Sequence, residues 1–155
     1  MVKIRDYAAP DAAAFRALNL AWIETLFEVE AEDLAQLDDP KTHILDKGGR
    51  ILIADYDGDA VGTVGLVPGH EAGTVELIKM SARSDLQGQG IGKALMQAAL
   101  DAARAMGARK IWIETNTKLG PALNLYKRSG FRELSVDERV QTPYDRCDCQ
   151  LELIL

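Results

Sequence analysis

Cysteine is scarce in this chain: among 155 residues there are two, Cys147 and Cys149. A spacing of two puts them on one face if they lie in a strand, which suits a mutual disulfide poorly. Structural thiols are the expectation, and a disulfide scaffold or redox centre is set aside. Histidine is as rare. His43 and His70 lie far apart, with no cluster of ligand spacing around them, so no metal site is expected. No apolar run approaches the length of a bilayer span, which excludes a transmembrane helix and leaves no membrane partner to expect. The opening residues Met1-Val2-Lys3-Ile4-Arg5-Asp6 lack the apolar core of a secretory leader. The expected location is the cytoplasm.

Positive charge is also in deficit. Lys and Arg number 18 against 24 Asp and Glu, a net charge of −6, which argues against a nucleic-acid binder. What is present is ordinary for a soluble globular protein: 47% hydrophobic and 27% charged residues. The length suits one domain spanning 1–155, with no repeat, linker or low-complexity tract to divide it. The charges are unevenly spread. From Ala17 to Pro40 there are seven acids and no base, and from Asn116 to Arg132 four bases (Lys118, Lys127, Arg128, Arg132) and no acid. Two solvated helical faces would account for this. So would a basic side for an anionic ligand and an acidic side for a cationic one.

Hydrophobic periodicity gives a coarse element order. A short strand over 2–7 precedes an Ala-rich helix opened by Pro10-Asp11, with Phe15, Leu18, Trp22 and Leu26 on one stripe. A continuation over 32–37 ends at Asp39-Pro40. Strands over 50–56 and 60–67 flank the turn signal Asp57-Gly58-Asp59, and a third follows over 74–82. An amphipathic helix over 90–106 turns Ile91, Leu95, Ala98, Ala99 and Ala102 inward and ends at Gly107. A strand over 110–115, a short helix begun by Pro121 and capped at Gly130, and strands over 131–134 and 147–155 complete the chain. The implied fold class is α/β of the α+β kind, a mixed and mostly antiparallel sheet of six to seven strands with about four helices on its faces. The unit from 74 to 110 is a parallel crossover.

Between that third strand and the amphipathic helix lies Gln87-Gly88-Gln89-Gly90-Ile91-Gly92-Lys93. Glycines there let backbone N–H groups converge on a ligand, and the helix N-terminus adds positive potential suited to phosphate. Lys93 in the first helical turn opposes the macrodipole unless an anion docks there. The spacing fails the P-loop pattern, because Gln87 stands where its first Gly belongs and Ala94 follows Lys93. It fails G-x-G-x-x-G too, since the third position falls on Lys93 or Leu95. What remains is Q-x-x-G-x-G at Gln87, Gly90 and Gly92.

That motif, followed by Ala122-Leu123-Asn124-Leu125-Tyr126-Lys127-Arg128-Ser129-Gly130-Phe131, resembles the GNAT superfamily of N-acetyltransferases, and the element order matches over essentially the whole chain. The resemblance implies a splayed central strand pair holding acetyl-CoA as co-substrate. Backbone groups of Met80 and Ala82 would meet the pantetheine arm, and the amides of Gln87, Gly88, Gln89, Gly90, Ile91, Gly92 and Lys93 the pyrophosphate. Tyr126 would protonate the departing thiolate, and Glu76 would act as general base. Asn116 would bond the pantetheine, although the connection from it to Ala122 is longer than the family's usual one. Trp22, Phe27 and Glu28 would line an aromatic, acidic acceptor site.

The implied reaction is transfer of acetyl to a primary amine, on a small molecule or a protein, by direct attack in a ternary complex. The alternative is a domain that senses acyl-CoA without catalysis. Structural readings stand beside these: Met80, Trp22 and Phe27 as core, Tyr126 as an anchored aromatic, Glu76 as an exposed strand residue, Asn116 as a turn residue. Pairing of the last strands between two copies would give a homodimer.

Overall fold

The apolar runs on either side of Asp57-Gly58 fold back on each other through a turn in which both residues have positive φ, 51° and 93°. This joins β2 (Arg50–Tyr56) to β3 (Asp59–Pro68), and β4 (Thr74–Ala82) follows antiparallel. Together with β1 (Val2–Asp6), β5 (Lys110–Thr115), β6 (Arg132–Glu133) and β7 (Cys149–Ile154) they form a seven-stranded sheet in the order β1-β2-β3-β4-β5-β7-β6. The computed structural model describes residues 1–155. Only β4 and β5 pair in parallel, and α3 (Ile91–Ala105) is their crossover. The mixed, mostly antiparallel sheet expected from the sequence is therefore present.

Alternation along the strands splits the core between two faces. Leu52, Ala54, Val64, Leu66, Leu77 and Ile111 pack with Leu95, Met96 and Ala99 of α3 and with Leu123 and Tyr126 of α4 (Gly120–Arg128). Ile51, Ile53 and Ile78 turn the other way, against Phe15 and Ile23 of α1 (Ala12–Leu26) and Leu37 of α2 (Ala31–Asp38). Phe15, Ile23 and Leu95 are all fully buried, each contributing about 1.5–3 kcal/mol of transfer free energy.

The stripe read on α1 is corrected. Its buried line is Phe15, Asn19 and Ile23, whereas Leu26 is 41% exposed. Asn19, fully buried, donates to the Phe15 carbonyl (2.8 Å) and to Thr63 Oγ1 (3.0 Å), so a polar residue fills the position where periodicity looked for an aliphatic one. Pro40 does not end helical structure: a π-helical turn, Lys41–Leu45, starts from it and buries Ile44. β7 begins at Cys149, so Cys147 lies outside the strand, and both cysteines are free thiols.

Two local features open the sheet at its centre. β4 carries an extra residue opposite β3, where the register steps from Thr63↔Ser81 to Gly65↔Ile78. Lys79, in this bulge, has φ 51°, a conformation that costs a non-glycine residue about 1 kcal/mol or more. Meanwhile β4 and β5 pair only through Thr74↔Lys110, Val75↔Ile111 and Glu76↔Trp112. Beyond Glu76 the strands part. No helix of the chain is long and apolar enough to cross a membrane.

Candidate active site

The parted strands frame a cleft of about 600 Å³. One wall is β4 beyond Glu76, another the end of β5, a third α4, and the glycine turn closes one end. Gly88 and Gly90 have φ of 82° and 80°, the left-handed region in which glycine carries no steric penalty. Gly90 is the N-cap of α3, no side chain caps it, and the first intrahelical bond is Ala94 N to the Gly90 carbonyl (3.0 Å). The amides of Ile91, Gly92 and Lys93 therefore lack helical partners and stand free for an anion. Gly92 is small for another reason: a Cβ there would come within 3.3 Å of Leu125, where α3 meets α4.

Of the motif residues, Gln87, Gly88, Gly90, Ile91, Gly92 and Lys93 line the cleft, as do Met80 and Ala82; Gln89 is exposed and does not. Lys118 and Arg128 line it as well, so part of the basic segment does face an anion-sized space. The rest is engaged elsewhere: Lys127 lies 3.8 Å from Glu133, and Arg132 pairs with Glu138 (2.8 Å) and Glu152 (2.7 Å).

Tyr126 lines the same cleft from α4 and is only 5% exposed, its ring 6.0 Å from that of Phe131. Burial alone raises the pKa of its phenol, keeping the hydroxyl protonated and able to donate. Glu76 stands at the branch point of β4 and β5. Burial, and then the charge of Glu114, push its pKa up to about 9, with hydrogen bonding between the two also favouring the proton on Glu76. It is neither exposed nor paired with a cation, so the reading of an ordinary surface residue does not describe it.

Asn116 spends both polar ends within the chain. Its Nδ2 donates to the Arg146 carbonyl (2.6 Å) and its Oδ1 accepts from the Lys118 amide (2.8 Å), the longer connection to α4 being held as a turn. Trp22 lines the cleft and donates to Asn19 Oδ1 (3.1 Å), with Phe27 edge-on at 6.4 Å. Glu28 is exposed and lies outside the cleft lining. The aromatic group is filled by the chain itself: the Arg146 guanidinium lies 5.6 Å from the Trp22 ring, 5.7 Å from Phe27 and 4.6 Å from Tyr144.

Arg146 belongs to a buried ion cluster that the sequence did not reveal. Asp33, 0% exposed, accepts from Lys79 Nζ (2.8 Å), from both Arg146 terminal nitrogens (2.6 Å each) and from the Glu30 amide (2.9 Å). Burial alone would raise the Asp33 pKa, yet Arg146 and Lys79 outweigh it and hold the carboxyl at about 2. Burial lowers the Lys79 pKa, with Asp33 opposing. Thr63 Oγ1 donates to the Lys79 carbonyl (2.8 Å), so the bulge is fixed at its backbone and at its side chain.

This fold has counterparts among known proteins. The sequence profile of the Acetyltransferase (GNAT) family matches residues 14–131. The chain belongs to that family. It is 34% identical over 89 residues to the uncharacterized N-acetyltransferase YjgM of Escherichia coli (strain K12), covering 56% of this chain and 53% of that protein. The chain spans about half the length of several curated relatives it matches. A GNAT-family acetyltransferase from Staphylococcus aureus Mu50 shares the fold with a TM-score of 0.88 at 20% identity, over 98% of both chains. N-acetylglutamate synthase from Neisseria gonorrhoeae, solved with coenzyme A and N-acetyl-glutamate, shares it at 0.77 and 21% identity, over 100% of this chain and 35% of that one.

Proposed function

We propose that residues 1–155 act as a single N-acetyltransferase domain that moves an acetyl group from acetyl-CoA to a primary amine in a ternary complex. The observation carrying this reading is the parting of β4 and β5 after Glu76 and Trp112, which leaves a strand edge leading to the uncapped N-terminus of α3. A pantetheine arm joins such an edge as an added strand would, through backbone groups near Met80 and Ala82. Its pyrophosphate then meets the turn amides, with Lys93, Lys118 and Arg128 in the same cleft as counter-charges. GNAT membership and the coenzyme A held by the Neisseria neighbour support the donor. The acceptor is an amine on a small molecule or a protein, and the setting is the cytoplasm.

An alkylammonium of pKa about 10.4 must lose a proton before it attacks a thioester. Glu76, held near that range, takes this proton far more readily than an ordinary carboxylate. The Met80 N–H meets the oxyanion as the carbonyl carbon becomes tetrahedral, the Tyr126 hydroxyl gives its proton to the departing sulfur, and the second proton lost by the attacking nitrogen as the amide forms restores the tyrosine. Direct attack is favoured over an acyl-enzyme because burial raises the pKa of Cys147, the cysteine that lines the cleft, and keeps it a poorly nucleophilic thiol.

Titration with acetyl-CoA, followed by calorimetry and thermal unfolding, tests the reading. At a hundred times its Kd the ligand stabilises the fold by about 2.7 kcal/mol. Gly90→Val, a β-branched residue at φ 80°, is expected to abolish that gain. A folded wild-type protein that binds no acetyl-CoA would overturn the proposal.

A further inference from the structure

A second cavity, of about 340 Å³, meets the first at Glu76, Glu114 and Tyr144, which line both. It opens toward α2 and the segment before β7 and is lined by Glu32, His70 and Trp112 among others. Three carboxylates face it, and none of its 12 lining residues is Lys or Arg. Two of its lining residues each carry a polar atom sealed from solvent and without a partner: the Trp112 indole N–H, on a residue only 6% exposed, and Glu114 Oε1. Buried donors and acceptors are nearly always satisfied by protein or by ordered water, so these two groups have bonding capacity left for a guest or a water at this wall. The first cavity has the opposite character, with Lys79, Lys93, Lys118, Arg128 and Arg146 along its walls.

We infer that the acceptor occupies this second cavity and is a small amine carrying a second positive charge, held by Glu32 while Glu76 receives the proton of the reacting nitrogen. The inference rests on the acetyltransferase reading of the first cavity. Glu76 forms part of the wall between the two, so a nucleophile on one side reaches a thioester on the other. Glu32 comes from α2, where its one side-chain hydrogen bond is a long 3.5 Å one from Gln36 Nε2 and it has no salt bridge, and its charge bears on both Glu76 and Glu114. A monoamine leaves Glu32 without a counter-charge inside the cavity; a diamine supplies one. Glu114 Oε1 accepts from the same dication, and the Trp112 N–H donates to an oxygen or water brought in with it.

The probes are 1,4-diaminobutane, n-butylamine and glutamate. Steady-state rates with saturating acetyl-CoA are expected to favour the diamine over butylamine by about tenfold in kcat/KM, the worth of one charged hydrogen bond. Glu32→Gln is expected to erase most of that preference by raising the diamine KM far more than it lowers kcat. Equal use of the two amines, a preference that survives Glu32→Gln, or better turnover of glutamate would overturn the inference while leaving the acetyltransferase reading intact. Calorimetric titration of the diamine alone separates the two ideas. Diamine binding that Glu32→Gln abolishes supports the cavity assignment even if no acetyl-CoA binds, and absent diamine binding in a protein that does bind acetyl-CoA overturns it.

Discussion

Two buried groups of charges lie three residues apart on β4, and they are built on opposite principles. Around Lys79 the charges are of opposite sign and each is satisfied: Asp33 collects Lys79, Arg146 and a backbone amide. Around Glu76 they are of like sign, Glu76 against Glu114, with a partnerless oxygen on one of them. The first arrangement fixes geometry, pinning α2, the bulge and the segment before β7 together. The second keeps a carboxyl neutral far above its ordinary range, which stores reactivity at a cost in stability.

Their linkage to pH runs in opposite directions. Asp33 is depressed to about 2, so its stabilisation is present above the unfolded value near 3.8 and lost as pH falls toward 2. Glu76 is raised from 4.5 to about 9, so folding is favoured below pH 4.5 and that contribution is lost as pH rises toward 9.

The largest effect is expected from Asp33→Asn, which leaves Lys79 buried without its carboxylate and Arg146 with only Glu30, at 3.5 Å. Breaking such a cluster costs about 3–5 kcal/mol, and the melting temperature should fall by roughly 6–20 °C at 2–4 °C per kcal/mol. The loss should shrink at high pH, where Lys79, its pKa already lowered, gives up its proton. A thermal melt unchanged by Asp33→Asn would show that the paired cluster holds nothing together.

Glu76→Gln should split stability from activity. Turnover is expected to drop by about 10²-fold or more with loss of the base. The melting temperature at pH 8 should rise, because glutamine takes up no proton on folding whereas Glu76 must, and the wild-type decline in stability between pH 5 and 9 should flatten. Melts of both proteins across that range, beside their pH–rate profiles, check the two signs together. If Glu76→Gln were less stable than wild type at pH 8, the like-charged pair would not be a strained element of the fold.

Thr63→Val probes the hinge between the clusters. Its hydroxyl donates to the Lys79 carbonyl and accepts from Asn19; valine removes both bonds, at about 1–3 kcal/mol, and leaves Asn19 only its bond to the Phe15 carbonyl. The larger consequence should be catalytic, a lower kcat with acetyl-CoA affinity nearly kept, since the bulge that carries the Met80 N–H loses one of its two anchors. Equal loss of kcat and of acetyl-CoA affinity would show that Thr63 supports the whole cleft rather than the bulge.

The elements legible in the sequence were those set by local signals. The β-rich runs of β2 to β5, the Asp57-Gly58 turn, the glycine turn and the helix ended by Gly107 all lie where their residues put them. The opposite-charge cluster was not legible, because Asp33 on α2, Lys79 on β4 and Arg146 before β7 meet only in the folded chain, Asp33 and Arg146 across 113 residues. Arg146 stands in a polar segment without periodicity, and Asp33 reads as one more acid on an acidic helix. Glu114 carries a signal visible in the sequence: an acid directly ends the apolar run Ile111-Trp112-Ile113. The aromatic residues Trp22 and Phe27 suggest a site open to a cationic ligand, whereas Arg146 of the same chain takes that place.

The finest division of the comparison comes from Glu114→Gln. Burial and the proximity of Glu114 are the two largest causes of the raised Glu76 pKa, and this substitution removes only the second. Burial persists, so the Glu76 pKa should settle between 4.5 and 9, and the rise of kcat/KM with pH should move toward acid. Near pH 7 more of the enzyme then carries the deprotonated base, so activity there should increase, by about tenfold for every pH unit that the profile moves. Above pH 9 the order should reverse, because a base of lower pKa draws a proton from an ammonium less strongly. Crossing pH profiles are the expected result. Parallel profiles would assign the raised pKa of Glu76 to burial alone, and the two clusters would then differ in packing rather than in the sign of their charges.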